Sequence, residues 1–322
     1  MNAIKRVIKS LLPALDAIAA VFTLPAAAYM FCIRRIGVQH LPFSRRIFAF
    51  VGFFPIRDHY YEPLFHAGQL SKPLNSNRSL PGLQMNVGEQ LSLLEQFRYS
   101  EDILGLEGRC ISDISFRADN GSFLEGDFEF LYSLIRAKRP KRIIEVGSGN
   151  STIVAALAII DNKSETPNHE CTHICIEPYE MPWLEKLGVT VLRERVETLS
   201  PAFFAQLGEN DLLFIDSSHV IRPQGDVLHL YLEVLPTLAP GVIVHIHDIF
   251  TPNDYLSRWV TQEVKLWNEQ YLVEAFLSNN AAWRIIGALN FLHKAHFNEL
   301  KSACPLIRPT SEPGSLYIQR CA

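Results

Sequence analysis

The stretch that most constrains this chain is Arg142-Ile-Ile-Glu-Val-Gly-Ser-Gly-Asn-Ser-Thr152. Ile143, Ile144 and Val146 are β-branched and suit a buried central strand. Gly147 and Gly149 allow a tight turn whose backbone can approach a ligand closely. Ser151 and Thr152 stand where they can cap a helix that continues as Ile153-Val-Ala-Ala-Leu-Ala158. Strand, acid, Gly-x-Gly turn and helix, in that order, form the setting in which adenine-nucleoside ligands bind.

The glycine spacing excludes one such ligand. A dinucleotide fingerprint reads G-x-G-x-x-G, its third glycine letting helix and strand pack closely beside a pyrophosphate. Thr152 occupies that third position, and no lysine follows as in a P-loop. Glu145, two residues before the first glycine, would repel a pyrophosphate. An acid there suits a ligand with a cationic amino group and no phosphate, and S-adenosylmethionine is such a ligand.

Strands and helices alternate after this loop. Thr172–Glu177 reads as a second strand ending in an acid placed to accept both ribose hydroxyls. Met181–Leu187 reads as a short helix and Val189–Leu192 as a third strand. Pro201–Leu207 reads as a helix, and Asp211–Asp216 as a fourth strand, again ending in an acid. Gln224–Leu235 has Val227, Leu228, Tyr231, Leu232 and Leu235 at helical spacing, and Val242–Ile246 is a fifth strand running into His247 and Asp248. A helix over Tyr255–Trp267 and an antiparallel strand pair, Tyr271–Phe276 with Trp283–Leu289, are expected to follow. The alternation implies an α/β fold with a parallel sheet covered on both faces and ligands at the strands' carboxyl ends. Glu145, Glu177, Asp216 and Asp248 all lie at those ends.

These residues resemble the class I S-adenosylmethionine-dependent methyltransferases, over roughly Gly121 to Lys294. The resemblance implies a Rossmann-like, seven-stranded sheet, parallel except for one strand near the end. It implies that Glu145, Gly147 and Gly149 surround the methionine part of the cofactor, with Ser148 and Ser151 in the same loop. Glu177 would hold the ribose, and Val196 or Glu197 would flank the adenine. Asp216 would close the pocket.

A second constellation carries the chemistry. Asp216-Ser-Ser-His219 follows the fourth strand and His247-Asp248 the fifth. Adjacent parallel strands lie about 4.8 Å apart, so these end loops can bring Asp216, His219, His247 and Asp248 together. Two carboxylates and an imidazole suit a divalent cation, Mg²⁺ or Mn²⁺ by the oxygen ligands, with Fe²⁺ or Zn²⁺ open through the imidazole. A metal acidifies a bound hydroxyl, and a histidine can take its proton. Asp-x-Ser-His after strand four, with Asp just past strand five, is similar to the metal-dependent sugar O-methyltransferases of the macrocin and mycinamicin type. That resemblance implies Asp216 and Asp248 as metal ligands and His219 as general base. His247 stands where those enzymes carry an acid, and it is taken as a third ligand.

The first 120 residues are different in kind. Lys5, Arg6 and Lys9 precede Leu11–Ile33, which is apolar except for Asp16, contains Pro13 and Pro25, and is followed by Arg34-Arg35. Its length suits a bilayer span. Its basic flanks fit an interfacial hairpin broken at Pro25, attached to the cytoplasmic face of a membrane; a buried helical hairpin of a soluble fold and an export signal are the alternatives. Phe53–Phe65 crowds Arg57, Asp58, His59, Tyr60, Tyr61 and Glu62 together. It reads either as an acceptor-binding lid or as a linker whose polar groups pair with one another. The resulting division is 1–40 hydrophobic segment, 41–120 acceptor-side extension, 121–296 methyltransferase domain and 297–322 tail.

Composition narrows the rest. A net charge of −4 and a pI near 6.3, with no basic stripe, argue against a nucleic-acid partner. Six scattered cysteines without a CxxC pair imply neither a zinc ribbon nor a disulfide framework. The leading expectation is a metal-assisted O-methyltransferase acting on a sugar or glycolipid hydroxyl. Metal-free methylation of a small molecule, a non-catalytic nucleoside-binding protein and an NAD-dependent reductase are the alternatives.

Overall fold

The computed structural model describes residues 2–179 and 181–321. The chain divides into two compact units, Met1–Ser71 and Lys72–Ala322. The expected 41–120 extension is therefore split. Residues 72–120 belong to the sheet-containing unit, where Gln90 accepts from the Ala288 amide and Arg109 forms a bidentate pair with Asp161.

In the second unit a seven-stranded sheet is built from β1 (Arg142–Val146), β2 (Thr172–Ile176), β3 (Thr190–Leu192), β4 (Leu212–Ile215), β5 (Ile243–Ile246), β6 (Trp283–Ala288) and β7 (Leu316–Arg320). Their order is β3-β2-β1-β4-β5-β7-β6. The strands β1 to β5 are mutually parallel, and β7 runs antiparallel to both β5 and β6. This is the expected Rossmann-like, mostly parallel α/β sheet. The chain reverses direction across the sheet between β1 and β4, the switch point where such sheets bind ligands.

The strands read as continuous apolar runs because both faces are covered. On one face Ile143, Phe214 and Tyr317 pack under the helix Asp127–Lys138 and the helix Asn150–Glu165, through residues such as Phe128, Leu131, Ile153 and Leu157. On the other, Ile144, Val146, Leu213, Ile215, Val244 and Ile246 meet Val227, Leu230 and Val234 of the helical run Asp226–Thr237.

Several expected elements are corrected. Tyr271–Phe276 is not a strand: Glu269–Leu277 is a helix. Its buried residues, Glu269, Gln270, Val273, Glu274 and Leu277, follow the helical period, and Val273 and Leu277 reach the core one turn apart. The partner of β6 is instead β7, in the stretch expected to be a tail. Of the helix expected over Tyr255–Trp267 only Ser257–Thr261 is helical, and of Met181–Leu187 only the single turn Leu184–Leu187.

In the first unit one helix, Asn2–Ile36, runs through both Pro13 and Pro25. The hairpin expected to break at Pro25 does not form. A proline removes one hydrogen bond and bends a helix without necessarily ending it. Leu11–Ile36 is long and apolar enough to cross a membrane, and none of its apolar window is buried, so the alternative of a buried hairpin finds no support. A second helix, Pro42–Val51, follows a turn at Gly37 and packs Phe48 against Ile33 and Val38. Within Phe53–Phe65, Glu62 is held by Arg34 and Arg57. The Tyr61 amide donates to His59 Nδ1 at 3.3 Å. Arg57, His59 and Glu62 thus pair locally, while Tyr60 and Tyr61 are exposed.

Candidate functional site

The turn after β1 is set by backbone necessity. Gly147 has φ +77°, and a Cβ there would lie 2.0 Å from the Asp216 carbonyl oxygen. No side chain fits, so the loop lies directly on the end of β4. The Gly147 amide donates to Ile176 O at 3.1 Å and the Asp216 amide to Val146 O at 2.9 Å, tying the ends of β1, β2 and β4 together. The following helix begins at Asn150, and Thr152 Oγ1 accepts from the Gly149 amide at 3.0 Å. Thr152 thus does the capping that a third glycine could not.

Ser151 does not cap. Its hydroxyl donates to Glu145 Oε1 at 2.5 Å, while Glu145 Oε2 lies 2.9 Å from His173 Nε2 and 3.7 Å from Cys175 Sγ. The three residues Glu145, His173 and Cys175 are all buried. Burial disfavours a charged imidazole, but Cys175 and Glu145 outweigh it and hold His173 up to about 10. Both oxygens of Glu145 are therefore engaged by protein groups. The expectation that it attracts a ligand's ammonium group is revised: Glu145 braces the loop from behind, and nothing in the sequence marked His173 as its partner.

At the open side of the loop the Ser148 hydroxyl is buried without a protein partner, and the Ser148 amide donates to Glu177 Oε2 at 3.3 Å. Glu177 Oε1 accepts from the Tyr179 amide at 3.0 Å. Val196 is buried at the start of a short 3-10 turn, and Glu197 pairs with Arg195 at 3.3 Å. Ser148, Glu177, Val196 and Glu197 thus lie at or beyond the carboxyl ends of β1, β2 and β3, as expected.

The second constellation assembles with one substitution. Ligand atoms of Asp216, His219 and Asp248 all lie within 4.8 Å of one another. His219 Nε2 is 3.2 Å from Asp216 Oδ1 and 3.6 Å from Asp248 Oδ2. Its Nδ1 lies 2.8 Å from Glu269 Oε2, and its ring lies against Trp267. Glu269 is fully buried, and its other oxygen accepts from Tyr231 at 3.0 Å and Ser217 at 3.3 Å. The His219 carbonyl accepts from the Asn268 and Glu269 amides, which fastens the start of that helix to the loop. Burial works against a charged His219, but hydrogen bonds to Asp216 and Glu269 raise it well above the ordinary histidine range. Partial withdrawal from water opposes ionisation of Asp216, and His219 and His247 bring it below the usual carboxylate range. Sequence reasoning missed Glu269 because it fell between the helix expected to end at Trp267 and the strand expected from Tyr271; the signal was the helical spacing of Val273 and Leu277.

His247 is not in this group. Its ring stacks with His245 at 5.6 Å, His245 stacks on Phe214 at 3.9 Å, and Phe123 lies 5.3 Å from His247. His247 Nδ1 is buried without a partner, and Nε2 is 3.6 Å from Asp248 Oδ1. Both ring nitrogens of His245 are buried and unpartnered, and desolvation pushes it well below its ordinary range. The rings alternate with Ile246 and face the same side as Phe214. His247 therefore closes a row of flat rings, and His219 takes its expected place among the converging donors. Beside Asp248 a cavity of about 250 Å³ is lined by Arg258, Trp259, Arg308 and Glu312.

Residues 144–249 match a methyltransferase domain family. An uncharacterized protein of Archaeoglobus fulgidus is 25% identical over 170 residues, 47% of this chain and 73% of that protein. Among solved structures, an O-methyltransferase from Bacillus cereus in complex with SAH aligns with a TM-score of 0.37 at 12% identity, over 71% of this chain and 90% of that one. A putative protein-L-isoaspartate O-methyltransferase from Plasmodium falciparum, in complex with S-adenosyl-L-homocysteine, aligns with a TM-score of 0.30 at 14% identity, over 49% and 83%. Likenesses this distant add nothing to what the strand order already establishes. The sheet, the glycine loop at its switch point and the methyltransferase-domain match support a class I S-adenosylmethionine-dependent methyltransferase.

Proposed function

We propose that the chain methylates a hydroxyl of a sugar or glycolipid with the help of a divalent cation. The observation that carries this reading is the convergence of Asp216, His219 and Asp248 beside the glycine loop. Two carboxylates suit a hard divalent cation, and the imidazole that faces them suits a base. The loop suits the methyl donor: its backbone lies open at Gly149, where a Cβ would meet only Met181 at 4.0 Å, and the Ser148 hydroxyl is buried without a protein partner. Glu177 would hold the ribose, and Val196 and Glu197 would flank the adenine.

S-adenosylmethionine supplies an electrophilic methyl group, and a cation held by Asp216 and Asp248 supplies acidification of the acceptor hydroxyl. The rest falls to the chain's own side chains. Glu269 and Trp267 hold the His219 ring so that Nε2 faces the two carboxylates; with their charge taken up by a cation, Nε2 would be released from the partner that keeps it protonated and would then take the hydroxyl proton. Burial of His219 and Glu269 keeps water from the proton's path. The cavity beside Asp248 offers guanidinium, carboxylate and hydroxyl partners and the aromatic face of Trp259, which suits a polyhydroxylated acceptor.

Activity retained in EDTA, or in Asp248→Ala, removes the metal from this reading and leaves metal-free methylation. Calorimetry separates the donor classes: binding of S-adenosylmethionine and not NAD is expected. A nucleoside-binding protein without catalysis would bind the donor yet transfer no label to any fraction. Labelled S-adenosylmethionine given to a lysate with the enzyme, followed by separation of lipid, glycan, protein and small molecules, is expected to mark the glycan or glycolipid fraction. For the first unit, the exposed apolar helix Leu11–Ile36 supports attachment to a membrane, on its cytoplasmic face where the methyl donor is made; flotation of the full chain with lipid vesicles tests it.

A further inference from the structure

The helix Pro42–Val51 has a face that nothing in its own unit covers. Phe43, Ile47, Phe50 and Val51 are 77, 60, 93 and 67% exposed. At 100° per residue these positions fall within a stripe about 100° wide. Phe48 points elsewhere, into the small core with Ile33 and Val38, so the helix is held by one side and bare on another. Phe53 and Phe54 pack edge-on against Phe48, away from the stripe, and Tyr60 and Tyr61 are strongly exposed. Apolar area gathered in this way marks an interaction surface.

Charge identifies the occupant. From Ala17 to Arg57 the sequence carries five arginines and no acid. Arg35, Arg45 and Arg46 are exposed and form no ion pair among the described residues, whereas Arg34 and Arg57 are taken up by Glu62. Arg46 flanks the apolar stripe and Arg45 stands on the opposite side of the helix. An apolar stripe edged by arginine, with tyrosines nearby, has the chemistry of a helix lying in the headgroup layer of an anionic bilayer. The stripe is continuous in sequence with the bilayer-length helix that ends at Ile36. A second protein chain would not by itself call for the excess of unpaired arginine.

We infer that Pro42–Val51 is an interfacial helix that lies in the surface of an anionic membrane, with Phe43, Ile47, Phe50 and Val51 in the acyl boundary and Arg46 among the headgroups. This rests on the reading of Leu11–Ile36 as a membrane helix, and the test separates the two. The full chain is reconstituted with vesicles of phosphatidylcholine and phosphatidylglycerol, as wild type, Phe50→Trp and Arg45→Trp, the native tryptophan emission being subtracted. Flotation reports on the long helix. In floating protein, the indole added by Phe50→Trp is expected to emit to the blue and to be quenched by lipids brominated near the headgroup. The indole added by Arg45→Trp is expected to escape that quenching. An indole in Phe50→Trp that stays open to aqueous iodide overturns the inference while leaving the membrane helix standing. A blue shift without bromolipid quenching overturns it too, since protein then covers the stripe. Failure to float overturns both readings.

Discussion

Two clusters in the sheet-containing unit are built from the same kinds of group and differ in access. Glu145, His173 and Cys175 are sealed inside the sheet, with Glu145 at 1% and His173 at 6% exposure. Asp216, His219 and Asp248 sit at the strand ends, where the Asp216 side chain is 39% exposed and Asp248 17%. In each, donor atoms lie within 4.8 Å of one another. A carboxylate and an imidazole brought together are thus no sign of chemistry on their own. The sealed cluster engages both oxygens of Glu145 internally and stiffens the loop, leaving only the buried His173 Nδ1 without a partner; the open one leaves carboxylate oxygens that a ligand can reach.

The sharpest way to break that contrast is to remove one imidazole from each. His219→Ala is expected to lower kcat by about 10²–10⁴-fold, the usual yield of a general base, with the affinity for S-adenosylmethionine by calorimetry nearly unchanged. His173→Ala should leave turnover per folded molecule much closer to wild type. Equal losses of kcat in the two variants would erase the distinction. Stability should invert the order. Glu145→Ala strands a buried imidazole and is expected to cost about 3–5 kcal/mol in denaturant unfolding, whereas Asp248→Ala, at a part-exposed position, should cost much less.

Glu269 tests whether the open cluster is organised from behind. Replacing it by Gln keeps the shape but loses the charge that orients His219 Nδ1. Groups that orient ligands in this way are worth about 10–100-fold in metal affinity or activity. Glu269→Gln is therefore expected to lower kcat by about that factor, with Mn²⁺ affinity and Tm little moved. An unchanged kcat would reduce Glu269 to packing.

The sealed cluster has its own smaller signature in pH. His173 is raised in the folded chain to about 10, against about 6.5 unfolded. Its contribution to stability is then fully present below about pH 6.5 and is lost as the pH rises through about 10. The midpoint of urea unfolding should fall across that window in wild type and fall less in His173→Gln. Equal slopes would mean that His173 is neutral in the folded protein.

What the sequence disclosed follows from which interactions are local. The strand β1, the turn at Gly147 and the acids at the strand ends were legible, because alternation and β-branching act over a few residues. Glu145 was correctly placed and wrongly aimed, since its partner His173 is on the neighbouring strand and pairing across a sheet leaves no mark in one strand's sequence. The strand β7 was missed for the same reason: Leu316–Arg320 joins the sheet after a long connection, between β5 and β6. Glu269 was hidden by Leu272-Val273, apolar neighbours that suit a strand as well as a buried helix.

His247 is where the sequence reading and the structure part, and it gives the finest test. By sequence it stands beside Asp248 and completes a ligand set; in space its ring continues the row of Phe214 and His245, with Nδ1 buried and unpartnered. The imidazole that faces both carboxylates is His219, through Nε2. His247→Phe keeps a flat ring in the row and removes both nitrogens. If stacking is its role, Mn²⁺ affinity and kcat should change by less than about threefold, within the range of a conservative core swap. A tenfold or greater loss of Mn²⁺ affinity at unchanged Tm would return His247 to the ligand set, as an imidazole donor beside the carboxylates of Asp216 and Asp248.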